Sequence, residues 1–448
     1  MRRESRGPWL LAACGLGLDV LAWWPGQLSF DSAHAWWQAR GGETTDIVAP
    51  AFTLTWRALL PLDDGPGPVF ALQLVLFWSG LALLARALAL SWTRTAALMA
   101  LVGFAPVSWL LRGHVWTDVL LTAALVFAVA ALARAERDRR WLAAAGPALL
   151  LAAVLRHNAL PAVLPLLAWA AWIAMPRASR MRIAWATLGL LLVPLGAARL
   201  LQAAVDRHVP VWPSLAQFDL AAVSIDTGEW RLPAFLRGPG LTIDELADAF
   251  RPWSNLPMLT GTRHGIRAPF DPPLTPDELA ALRDAWRDAI RDEPLAWLDH
   301  RMRLARALFG THARDWPREL VFVADAVAYR DNPPVSRNAG MLHRTLLRGA
   351  DRLRATPLLA AWPILLAGLV AVPRAWRRRH STAGRAALLA LASAWLYAAP
   401  LVLLAPSAEL RYLGWPCTAS LLALAMMLLA ARSDGAARLA PDPQRNSP

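Results

Sequence analysis

The chain has 448 residues, 56% of them hydrophobic, with a formal charge of +13 and a mean hydropathy of +0.34. Its apolar residues gather into runs of about 17–22 residues, the length a helix needs to cross ~30 Å of hydrocarbon, where only a self-satisfied backbone is tolerated. The positive charge is all arginine, much of it in short segments beside those runs, and no basic stripe or nucleic-acid motif accompanies it, which excludes a nucleic-acid partner.

In chain order the runs predict about ten membrane helices, near 8–24, 68–85, 95–111, 115–133, 141–155, 159–175, 183–203, 357–373, 386–406 and 412–431. The segment Leu11-Ala12-Ala13-Cys14 looks like a lipoprotein cleavage box, but the apolar run continues to Trp24, so an uncleaved first helix is expected. Cys14 and Cys417 lie far apart in or beside apolar runs and support neither a disulfide framework nor a zinc site. With the N-terminus inside, 20 arginines fall in inner segments and 5 in short outer loops, which places both termini in the cytoplasm. The chain then divides into a seven-helix N-terminal membrane domain (1–203), an extracytoplasmic domain (204–356), three C-terminal membrane helices (357–431) and a polar cytoplasmic tail (432–448) expected to be disordered. The fold class expected is an all-α polytopic membrane protein.

The domain 204–356 carries 20 arginines and 20 acids and reads as soluble and mainly helical. Thr242-Ile243-Asp244-Glu245 and Thr275-Pro276-Asp277-Glu278 both fit the capping box, the second opening an amphipathic helix through Ala289. Pro294 restarts a helix that Gly310 can end, and Asp271-Pro272-Pro273 is a turn.

Several polar residues stand where a membrane protein has reason to avoid them. After the helix break at Pro25-Gly26, Asp31 lies a few residues beyond the first span. There it can take a proton from a hydroxyl, hold a divalent metal, or N-cap a short interfacial helix running to Ala39 with His34 and Trp37 on one face. Asp46 sits in a polar stretch that reads locally as a solvated turn, or as a second acid facing the same site. Asp118, one turn into the fourth helix, fits a functional acid and a helix-dipole contact equally well. Asp19, inside the first helix, is expected to pair with Arg112 or Arg156. Arg156 and Arg411 are outer arginines that work against the insertion bias, and a phosphate group or lipid headgroups would account for them. Glu409 and Tyr412 beside Arg411 favour the phosphate there.

Taken together, Trp24-Pro25-Gly26 through Asp31-Ser32, Trp116-Thr117-Asp118, Arg156-His157-Asn158-Ala159 and Glu409-Leu410-Arg411-Tyr412 resemble, in order and spacing, the motifs of bacterial GT-C-type membrane glycosyltransferases similar to the protein O-mannosyltransferase (glycosyltransferase family 39) group. The segment from Trp286 to Arg301 matches that pattern only loosely. The resemblance implies a GT-C fold with a catalytic first outer loop, a lipid-linked (polyprenyl-phosphate) sugar donor, and transfer to a glycan, lipid or protein acceptor at the bacterial inner membrane. It implies Asp31 as general base, Asp118 orienting the acceptor or a metal such as Mg or Mn, and Arg411 with Arg156 on the donor phosphate, with Ser32, Asn158 and Tyr412 as further substrate-binding positions. One departure stands out. Relatives often carry His-Pro after the second acid, whereas Asp46 is followed by Ile47-Val48-Ala49-Pro50, which weakens a metal site and the catalytic role of Asp46. A transporter of a lipid-linked glycan and a non-catalytic scaffold are the rival readings.

The arginine asymmetry has a direct test. A reporter active only in the cytoplasm should be on when fused after Arg139 or Arg378 and off when fused within 210–350. The reverse pattern would put domain and loop on the wrong side.

Overall fold

The computed structural model describes residues 6–156, 158–270, 272–310, 316–336, 338 and 340–430. The tail predicted to be disordered, Arg2, Arg3, His157 and Asp271 lie outside the described residues. The chain runs through α1 (Gly7–Trp23), α2 (Phe30–Ala39), α3 (Pro50–Leu59), α4 (Gly67–Ala87), α5 (Trp92–Leu98), α6 (Pro106–Arg112), α7 (Thr117–Ala135), α8 (Leu142–Leu155), α9 (Ala159–Ala174) and α10 (Arg180–Ala203). Segment 204–356 adds α11 (Trp212–Thr227), α12 (Ile243–Ala249), α13 (Leu256–Thr260), α14 (Pro276–Asp292), α15 (Pro294–Leu308) and α16 (Met341–Leu353). The chain closes with α17 (Ala361–Arg377), α18 (Thr382–Ala398), α19 (Leu401–Leu404) and α20 (Gly414–Leu429). Among the described residues there is no strand, only isolated bridges, so the fold is all-helical.

The apolar runs read from the sequence are mainly helix among the described residues. Five stretches are long and apolar enough to cross a membrane: Gly67–Ala87, Thr117–Ala135, Arg180–Ala203, Thr382–Leu404 and Leu410–Leu429. The stretch expected as one span at 95–111 is instead a broken pair, Trp92–Gly103 and Pro106–Arg112, bent by 69°, and counts as a sixth if taken together. Pro106 causes the break: its ring pushes the preceding residue out of the helical region, and Ala105 has ψ 135°. The remaining expected spans, α1, α8, α9 and α17, are shorter helices of 17, 14, 16 and 17 residues.

Small residues let these helices approach. At Gly80 of α4 a side chain would stand 2.9 Å from the backbone nitrogen of Phe127 in α7, so the packing of these two helices depends on a missing Cβ. Gly15 and Gly103 likewise seat the ring of Trp78, which a Cβ at either would meet at 2.5 Å. The indole of Trp78 donates to Asp19 at 2.7 Å, and the same carboxylate takes Arg112 Nε at 3.0 Å. Arg112 also donates to the carbonyl of Gly103 at 2.6 Å, a group that the helix break leaves without its own partner, and lies 4.2 Å from the ring centre of Phe77. The pair expected for Asp19 is therefore Asp19–Arg112, buried on both sides.

In the first loop, α2 matches the expected short helix, and His34 and Trp37 share a face that packs on Tyr329. Asp31 is not its N-cap, however. Ser29 holds that position, and Asp31 sits within the first turn. In segment 204–356, Thr275 and Glu278 form the full capping box, and helices run Pro276–Asp292 and Pro294–Leu308 as the signals predict. At Thr242 only half a box forms, because Glu245 turns its carboxylate to His264 at 2.6 Å. This segment has a small apolar core around Leu220, Leu236 and Leu282. Beside that core Asp219 accepts the indoles of Trp286 and Trp297, both at 2.9 Å, and faces Arg301 at 2.5 Å. Arg301 in turn donates to Ala405 at the end of α19, which ties the segment to the apolar bundle.

Removing one member of a buried pair leaves a stranded charge. Arg112→Met is expected to cost about 3–5 kcal/mol, and Arg112→Met with Asp19→Asn to recover most of that. Thermal unfolding in detergent measures both, and a single variant that melts like the parent would refute the assignment.

Candidate functional site

Three backbone elements bring distant segments together at the end of the bundle that carries the first loop. After α1 the chain turns through Gly26, at φ +98°, and Gln27 exchanges two backbone bonds with the α6–α7 turn: its N–H to Gly113 at 2.9 Å and its carbonyl from Val115 at 3.0 Å. This clip sets the start of α2 beside the start of α7. The indole of Trp116 donates to Ser29 at 2.9 Å, and the hydroxyl of Ser32 to the carbonyl of Val115 at 2.5 Å. The third element is the tight 3₁₀ turn Leu410–Leu413, which leads into α20 and carries Arg411 and Tyr412.

On this frame the side chains converge. Arg411 Nη2 donates to Asp31 Oδ2 at 2.7 Å, and its Nε stands 2.6 Å from Glu409 Oε2 as an ionic contact rather than an aligned hydrogen bond. Glu409 receives Ser407 at 2.7 Å and the phenol of Tyr412 at 3.0 Å. In the first turn of α7, Asp118 pairs with Arg156, which extends from the end of α8, and accepts the phenol of Tyr397 in α18 at 3.2 Å. Asn158 donates to the carbonyl of Tyr397 at 3.5 Å. Both guanidiniums lie against the ring of Tyr412, with Arg156 4.9 Å and Arg411 5.3 Å from its centre, while Arg411 lies 5.2 Å from that of Trp116. Beneath this group a cavity of about 20 Å³, room for one water, is lined by Asp118, Arg411, Thr122 and Thr418.

Of the residues picked from the sequence, Asp31, Asp118, Arg156, Asn158, Arg411 and Tyr412 meet here, and Ser32 braces the clip with its hydroxyl. Asp46 does not join them. It accepts the N–H of Val209 at 2.6 Å and His208 Nδ1 at 3.1 Å, and with Glu43–Arg207 and Thr44–Asp206 it fastens the first loop to the segment after α10. Its carboxylate, part-exposed in a bend of the first loop, is taken up by these partners.

Four more residues complete the site: Glu409 and Trp116, which the sequence places in its motifs without a role of their own, and Tyr397 and His114, which it does not single out. His114 stacks on Trp116 with ring centres 4.0 Å apart, accepts the N–H of Val323 on Nε2 at 2.9 Å, and donates from Nδ1 to Leu110 at 3.0 Å. Burial pushes its imidazole down to about 4, which keeps it neutral and makes it a strut rather than an acid.

Among the described residues no group of three or more His, Cys, Asp or Glu side chains can hold a metal ion. Asp31, Glu409 and Asp118 each face an arginine instead, so these residues do not fit a divalent cation. Compared with family models, curated proteins and solved structures, the chain finds no match.

The state of Asp31 follows from its neighbours. Burial alone pushes its carboxyl up, but the charge and hydrogen bond of Arg411, helped by Arg156, outweigh that and hold it below its ordinary value of 3.8. A depressed value means the contribution of the pair is complete above the ordinary range and is lost only as pH falls through the lowered one. In infrared difference spectra of the parent against Asp31→Asn, more than half of the Asp31 carboxylate band should persist at pH 3.8. A band half lost at a higher pH would contradict this pairing.

Proposed function

We propose that the chain is a GT-C-type membrane glycosyltransferase that moves a sugar from a polyprenyl-phosphate donor to a hydroxyl of an extracytoplasmic acceptor. In this reading about ten helices enter the bundle, the shorter ones spanning with it. The termini lie in the cytoplasm, the membrane is a bacterial inner membrane, and the first loop and segment 204–356 face outward. The observation that carries it is convergence. Four short motifs, matched in order along the sequence, supply Asp31, Asp118, Arg156 and Arg411 to one cluster, with Asp31 and Arg411 380 residues apart.

The chemistry follows from the groups present. Asp31, at the accessible edge, takes the proton of the acceptor hydroxyl as its oxygen attacks the anomeric carbon. The bond from that carbon to the phosphate oxygen breaks, the phosphate keeps the electron pair, and the sugar inverts. Arg411 and Arg156 face the leaving phosphate and stabilise the charge that develops on it. Asp118 holds Arg156 in place, and the ring of Tyr412 lies against both guanidiniums.

A transporter reading needs a polar path through the bundle. The buried charges below the cluster, Asp19 and Arg112, are joined to each other and to Trp78 and Gly103, which favours chemistry at one surface over passage.

In a deletion strain missing an envelope glycan, Asp31→Asn should insert normally yet restore it ~10²–10⁴-fold more slowly than the parent. Asp46→Asn should restore it at nearly the parental rate. Arg411→Lys keeps the charge, loses the planar fork and should be substantially impaired at equal membrane level. Mass spectrometry of glycans and lipid-linked sugars reads all three, and parental turnover by Asp31→Asn would remove Asp31 as the base.

A further inference from the structure

This inference takes its ligand from the transferase reading and its argument from the two edges of one guanidinium. The Nε edge of Arg411 faces Glu409, which Ser407 and Tyr412 hold through its other oxygen. All four residues lie within 407–412, so this contact forms with the 3₁₀ turn itself. The Nη2 edge faces Asp31, which comes from the far end of the chain.

The carboxylates around the two arginines differ in how firmly they are held. The side chain of Asp118 is 2% exposed and locked by Arg156 and Tyr397. That of Glu409 is 24% exposed and held by three groups. That of Asp31 is 45% exposed, with its hydrogen bond to Arg411 as its tether. Three carboxylates against two guanidiniums also leave the cluster with excess negative charge, which repels an anion until one carboxylate withdraws. Asp31, in the first turn of α2 and open to solvent, is the one free to swing aside.

We propose that Glu409 is a positioning residue that fixes Arg411 by its Nε edge, and that Asp31 occupies the place on the Nη edge that a phosphate ester takes when it binds. The phosphate enters by displacing Asp31. Released from the guanidinium, the Asp31 carboxylate becomes a stronger base, so phosphate binding readies the group that the acceptor needs. The binding order is donor first and acceptor second, and without donor the base stays neutralised.

The test is equilibrium binding of undecaprenyl phosphate to the full chain in nanodiscs, with undecaprenol as the uncharged control and inorganic phosphate as the lipid-free arm. The parent should prefer the phosphate to the alcohol. Asp31→Asn removes the competitor and should bind the phosphate up to about fivefold tighter although it turns over more slowly. Glu409→Gln should bind about tenfold more weakly. A merely structural Asp31 predicts equal or weaker binding in Asp31→Asn, and that result overturns the proposal, as does a parent that does not distinguish phosphate from alcohol. Unchanged binding in Glu409→Gln removes the anchor and overturns it too. If inorganic phosphate binds as tightly as the lipid and follows the same order among the variants, the anion site stands and the ligand is free phosphate. Should the order hold while the deletion strain has unaltered glycans, the anion site again stands and the transferase reading falls.

Discussion

A guanidinium buried where helices meet must find carboxylates within reach, since an uncompensated charge away from water costs several kcal/mol. Arg411, only 8% exposed, sets that demand for this end of the bundle. Glu409 answers it from the same turn and Asp31 from the opposite end of the chain. The rest of the arrangement serves that meeting. The backbone clip between Gln27 and the α6–α7 turn fixes where α2 begins, Trp116 braces Ser29, and the neutral ring of His114 props Trp116 against the chain near Val323. Arg156 poses the same demand a few ångströms away, and Asp118 meets it.

A second charged pair lies deeper and shows what a closed arrangement looks like. Asp19 and Arg112 satisfy each other, Trp78 and the carbonyls of Gly103 and Ser108, and both are buried, with Arg112 bordering the one-water cavity under Asp118 and Arg411. Arg112 reaches that place because α6 is bent away from α5, and it satisfies the carbonyl that the bend exposes. Closed pairs of this kind stiffen a bundle. An open pair such as Asp31–Arg411 keeps a contact that can be exchanged.

Much of this was readable from the chain because burying charge is expensive. Arg156 and Arg411 are outer arginines that insertion disfavours, Asp118 stands inside an apolar run, and Asp31 follows the helix break at Pro25-Gly26, and those positions mark them. Glu409 lacked such a mark, since an acid next to an outer arginine reads as its flank. Tyr397 carried a weak signal: it is one of 3 tyrosines, set inside an apolar run where its hydroxyl needs a partner. Asp46 misled because its partners, His208 and Val209, lie beyond six intervening apolar runs and no local pattern points to them. In the fold, long apolar runs identified their helices, but the bend at Pro106 was hidden because 95–111 has the right length for a straight span. The short helices α3 and α16 lack an unbroken apolar run, so a reading keyed to such runs does not reach them, although Leu346, Leu347, Ala350 and Leu353 of α16 are spaced as one helix face.

The distance along the chain between Asp31 and Arg411 also has a consequence for biogenesis. The two residues are 380 positions apart, and at about 5–20 residues per second a ribosome takes roughly 20–80 s to travel between them. For that interval Asp31 is without the arginine that holds it in the finished fold. At the other end of the bundle Glu136 waits in the same way for Arg385, 249 residues later. The bundle is therefore fastened at both ends by its last-made helices.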